Sequence, residues 1–98
     1  MAILWIVTCE MSVEPGDLES GDTLAFTNVV TWGDNSEDAV ERVRLCSAKY
    51  KWTVIGVEKT KPVDQDKDYG DDLSDLIEQA TDNPDAILYG TFYSYKPN

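Results

Sequence analysis

Residues 3–13 read Ile-Leu-Trp-Ile-Val-Thr-Cys-Glu-Met-Ser-Val, an alternation that fits a β-strand and little else. Trp5, Val7, Cys9, Met11 and Val13 fall on one side at a period of two. The other side turns polar through Thr8, Glu10 and Ser12, so that face is expected to grow wetter along the strand. Residues 23–32 repeat the pattern, with Leu24, Phe26, Asn28, Val30 and Trp32 opposed to Thr23, Ala25, Thr27, Val29 and Thr31. The intervening residues 14–22 hold Pro15, Gly16, Gly21 and four acids, the composition of a surface loop. Two such strands predict an antiparallel hairpin with a long connection.

The period then changes from two to 3.6. Gly33-Asp34-Asn35-Ser36 is a turn into a helix that Ser36 or Asp34 can cap, with Glu37 and Asp38 complementing the helix dipole. Ala39, Val43, Cys46 and Tyr50, with Val40, form its apolar stripe; Leu45 projects almost opposite, and Lys49 and Lys51 suit its end. Residues 52–61 read as a third strand ended by Pro62. A second helix is expected from Asp72 to about Asp82, with Leu73, Leu76, Ile77 and Ala80 on one face and Asn83-Pro84 as its stop. A final aromatic strand runs from Ala86 to Tyr95.

The resulting order, ββαβαβ, predicts an α/β (α+β) two-layer sandwich: one domain over residues 1–98, with a mixed four-stranded sheet and two helices on one face. This alternation resembles that of ferredoxin-like sandwiches, whose order is βαββαβ, but the order here differs. The run Ala2–Val7 lacks a basic leader and reads as strand rather than signal sequence. No stretch approaches the roughly 20 apolar residues of a membrane span.

Charge narrows the functions. The chain carries 19 acids against 8 bases, a formal net charge of −11, and no histidine. Phosphate-neutralising contact with nucleic acid and docking on an anionic membrane are disfavoured, whereas basic protein surfaces are attracted. Without histidine the usual general base, metal ligand and triad component are missing. Cys9 and Cys46 sit on apolar faces without a C-x-x-C motif and read as core thiols in a cytoplasmic protein.

Two sets of residues are candidates for a site. Between Asp64 and Asp85 nine acids stand against Lys67 alone. Asp64, Asp66, Asp68, Asp72 and Asp75 resemble the EF-hand calcium loop at its first, third, fifth, ninth and last positions, a pattern that suits calcium or magnesium. Tyr69 stands where that loop needs Gly, Gly70 comes one residue late, and Asp75 is shorter than the usual Glu. The second set is aromatic. Tyr89, Tyr93 and Tyr95 share one side of the last strand, with Leu88 and Phe92 on the other, so an open sheet face is expected to carry the tyrosines. Trp5, Trp32 or Trp52 are candidates to join them there, and Leu45 is a further interface candidate on its helix.

The expectation is therefore a small, acidic, non-enzymatic interaction domain without a cofactor. It would bind or neutralise a basic partner protein, as small inhibitor or immunity-type proteins do, and self-associate as a homodimer through its aromatic face. The alternatives are a divalent-cation module built on the aspartate ladder and, behind it, a metal-assisted carboxylate enzyme.

Overall fold

The two alternating segments pair along their whole length. β1 (Ile3–Ser12) and β2 (Leu24–Gly33) form an antiparallel hairpin in unbroken register from Ile3 opposite Gly33 to Ser12 opposite Leu24. One further bond, Val13 N to Thr23 O at 2.8 Å, closes the base of the loop. The chain continues through α1 (Ser36–Lys49), β3 (Thr53–Pro62), α2 (Asp71–Thr81), β4 (Ile87–Tyr89) and β5 (Tyr93–Tyr95). The computed structural model describes residues 1–64 and 66–96. The fold is α+β, a five-stranded antiparallel sheet with two helices.

The sheet order is β3-β1-β2-β4, with β5 also on the outer edge of β2. The mixed four-stranded sheet expected from the sequence does not form. β2 and β3 do run the same way, as a helical crossover predicts, but β1 lies between them and every bonded pair is antiparallel. β3 carries two extra residues against β1, Glu58 and Ile55, which break the register and accentuate its twist. As an edge strand it is shielded by these bulges, by Glu58, Lys59 and Lys61, and by Pro62.

The helices lie on opposite faces, which corrects the two-layer arrangement with both on one face. On the first face Val7, Cys9, Met11 and Val29 are buried beneath Ala39 and Val43 of α1. On the second, Leu4, Ile6 and Val30 are buried with Ile77 and Ala80 of α2. β1 and β2 are thus apolar on both faces at the end that holds Leu4, Ile6 and Val30, and α2 occupies only that end. Trp32 fixes it there, its Nε1 donating to the carbonyls of Ala80 and Asn83, both at 2.9 Å. Ala80 stands in the last turn of α2 and Asn83 just beyond its end.

Capping differs in detail from expectation. Asn35, rather than Ser36 or Asp34, caps α1, its Oδ1 accepting from the Asp38 amide at 2.8 Å, while Asp38 Oδ2 accepts from Asp34 N at 2.9 Å. Gly70 precedes α2 with no side-chain cap. Gly33, where β2 hands over to α1, lies against the helix: a Cβ there would stand 2.9 Å from the Ala39 nitrogen. At Gly56 the nearest atom would be Glu10 Oε1 at 3.8 Å. Gly33→Ala is therefore expected to cost about 1–3 kcal/mol in urea unfolding, and Gly56→Ala less than about 0.5 kcal/mol. Equal costs would contradict this packing of α1.

Candidate functional site

The face bearing α2 is covered at one end only. Beyond Ile6 and Val30 its floor continues with Thr8, Glu10 and Ser12 of β1 and with Asn28, Phe26 and Leu24 of β2. β5 extends this floor, with Tyr93 opposite Phe26 and Tyr95 opposite Leu24. Phe26 and Tyr95 stack with centroids 5.2 Å apart, and Tyr93 is 64% exposed. Thr8 Oγ1 donates to Asn28 Oδ1 at 2.6 Å, which ties the two central strands together across this floor.

Tyr93 and Tyr95 come together here, and Tyr89 does not. β4 pairs Tyr89 with Val29, whereas β5 pairs Tyr93 with Phe26, so the register slips by one residue between them. The slip occurs at Gly90, whose nitrogen donates to Asn28 O at 2.8 Å and whose missing Cβ would lie 3.1 Å from that oxygen. One extra residue turns the following side chains to the other face. Tyr89 consequently lies under α1 and shares a 2.8 Å hydrogen bond with Ser47. It packs edge-on against Trp52 and Phe92, at 5.5 and 6.2 Å. Leu45 is 61% exposed on α1, apart from Tyr93 and Tyr95.

The tryptophans do not join the open face. Trp5 Nε1 donates to Gly33 O at 2.9 Å, and Trp52 Nε1 to Asp17 Oδ2 at 2.8 Å, which pins the hairpin loop to the α1 side. Phe92 and Leu88, expected together, are also separated by the slip: Phe92 joins the α1 core and Leu88 the α2 core.

Two hollows flank the open floor. One, of about 240 Å³, lies between the start of α2 and the slipped edge strand and is walled by Asp71, Asp72, Tyr69, Tyr93 and Asn28. The other, of about 480 Å³, opens towards β3. The aspartate ladder turns back on itself instead of converging. Asp64 Oδ1 accepts from the Asp66 amide and Asp68 Oδ1 from the Gly70 amide, each at 2.9 Å. Asp72 and Asp75 belong to α2, and Gln65 of the ladder lies outside the described residues. Among the described residues no three acidic or sulfur side chains are grouped to hold a metal ion. Tyr69, which replaces the glycine of a calcium loop, accepts from Asp64 N at 2.9 Å and so shapes this turn itself.

The thiols are free, Cys9 buried and Cys46 half-buried. Burial pushes the Cys9 pKa up to about 11, against a smaller lowering by Arg44. Burial likewise raises that of Tyr89, opposed by the Ser47 hydrogen bond and reinforced by Cys46.

No protein-family model, curated protein or solved structure matches the chain.

The Cys9 shift has a measurable consequence. An unfolded thiol ionises near 9.0, whereas folded Cys9 holds its proton to about 11. Folding therefore binds a proton in that window: the stabilisation is complete below about pH 9 and is lost as pH rises towards 11. The unfolding free energy from urea titration should fall through this range by an amount on the order of 2 kcal/mol, and Cys9→Ala should reduce the slope, leaving the part due to Tyr89. An unchanged slope in Cys9→Ala would contradict the assignment.

Proposed function

We propose that the protein is a non-enzymatic interaction domain that holds a basic segment of a partner protein on the part of the sheet face α2 leaves open. The observation that carries this reading is the juxtaposition of an exposed aromatic floor and an acidic hollow. Phe26, Tyr93 and Tyr95 offer flat surface, and Asp71 and Asp72 line the hollow beside Tyr93. An arginine or lysine entering there would meet two carboxylates while its stem lies on tyrosine, which combines charge pairing with cation–π contact. Glu10, opposite Phe26 on the same floor, extends the negative rim. The net charge of −11 would draw such a segment in from a distance.

The non-enzymatic part of the proposal is supported by the lack of histidine and by a Cys9 thiol that burial holds protonated. Free cysteines suit a cytoplasmic setting, and the same aromatic floor would serve a homodimer, with Tyr93 and Tyr95 meeting their counterparts. The calcium or magnesium reading has no comparable support, since the ladder's carboxylates cap their own turns.

An oligoarginine peptide followed by amide chemical shifts of the labelled protein tests the docking site. Shifts should concentrate at Phe26, Asp71, Asp72 and Tyr93, and Tyr93→Ala should weaken binding about tenfold. Shifts spread evenly over the hairpin loop and the ladder, with no effect of Tyr93→Ala, would reduce the interaction to unspecific attraction. Sedimentation of the full chain over a range of concentrations tests the dimer, and a monomer mass throughout would remove it.

A further inference from the structure

The larger hollow has the opposite electrostatic character from the rest of the molecule. Its opening of about 480 Å³ is lined by Lys59 and Lys61 from β3 and by Lys67 from the loop before α2. Three of the chain's eight basic residues thus meet at one place on a protein with 19 acids. None of the three is ion-paired: the salt bridges among the described residues are the N-terminus with Asp34 and Arg42 with Asp38. Edge protection accounts for charges at Lys59 and Lys61. Lys67 arrives from another segment, its Nζ held over the Tyr69 ring at 5.2 Å from the centroid, and adds like charge to the same cavity.

The other polar groups of the wall also favour an acceptor ligand. Asn28 spends its Oδ1 on Thr8, at 2.6 Å, which leaves the amide nitrogen to donate. Tyr69 accepts from Asp64 N at 2.9 Å through its hydroxyl oxygen, which leaves the O–H to donate. Asp64 is the opposing charge in the lining, and its Oδ1 is already engaged by the Asp66 amide. The rest of the wall includes Ile6, Pro62 and Leu73, an apolar surface against which a flat body can lie. The volume lies within the range of about 300–1,000 Å³ that small-molecule sites occupy.

We propose that this hollow binds a small organic anion. The phosphate or carboxylate head is held by Lys59, Lys61 and Lys67 with the Asn28 amide, and the apolar body lies against Ile6 and Leu73 beside Tyr69. Three ammonium groups facing a single carboxylate leave an excess of positive charge, and an anion among them offsets that excess while gaining charge-assisted hydrogen bonds. The surrounding negative field opposes entry, so the site suits a ligand present at high concentration rather than a scarce one. This inference is independent of the docking of a basic partner, which uses Asp71, Asp72 and Tyr93 instead.

Titrating the labelled full chain with AMP, phenyl phosphate and benzoate, with adenosine as the uncharged control, tests it. At least one of the anions should shift the amides of Thr8, Asn28, Lys59 and Tyr69 saturably at millimolar concentration, and adenosine should not. Comparing the phosphates with benzoate reads out which head group the lysines prefer. The double variant Lys59→Gln, Lys61→Gln, on exposed positions of the edge strand, should weaken binding about tenfold or more. Tyr93→Ala should leave it unchanged. The proposal is overturned by a lack of saturable shifts with all three anions, by equal shifts with adenosine, or by unchanged affinity in the double variant.

Discussion

Strand β1 is apolar on both faces only in its first half, and the rest of the architecture follows from that limit. Val7, Cys9 and Met11 build a continuous core against α1 on one face. On the other, Leu4 and Ile6 need cover, whereas Thr8, Glu10 and Ser12 do not. α2 therefore has one place where its stripe of Ile77 and Ala80 can be buried, and Trp32 secures its end there by binding the Ala80 and Asn83 carbonyls. A helix of 11 residues cannot also reach the far end of strands ten residues long. The uncovered floor is the direct result.

That floor is divided electrostatically by the chain's own connections. At the β5 end, the start of α2 brings Asp71 and Asp72 beside Tyr93. At the β3 end, the edge strand and the loop after it bring Lys59, Lys61 and Lys67 around a second hollow. Asn28 stands at the boundary and lines both. One half-face thus offers two chemically different surfaces, and the proposals for a basic partner and for a small anion address different ends of it.

The hairpin, both helices and the third strand were legible in the sequence because each carries a clean period bounded by Gly, Pro or a capping side chain. The placement of α2 was not read, although its signal was present: Leu4 and Ile6 are apolar on the face that Thr8 and Glu10 make polar, so one strand needs cover on both sides. The separation of Tyr89 from Tyr93 and Tyr95 was missed because strict alternation was carried through Gly90. A glycine inside an aromatic strand marks a bulge, and one extra residue reverses every later side chain. The aspartate ladder drew attention through its alternate spacing, which resembles a calcium loop, whereas Asp64 and Asp68 serve local turns. Lys67 was read only as the one base in the acidic run, because a single lysine among acids carries no further pattern until folding sets it beside Lys59 and Lys61.

The central claim is that the helices occupy opposite faces and leave half of one open. Nuclear Overhauser contacts between methyl and ring protons test it most directly. Val43 should show contacts to Val29 and Met11, and Ile77 to Leu4 and Val30, while the Phe26 and Tyr95 rings should contact each other and no proton of either helix. Contacts from Ile77 to Val29 or Val7, or from any helical residue to the Phe26 and Tyr95 rings, would contradict the arrangement and remove the open floor.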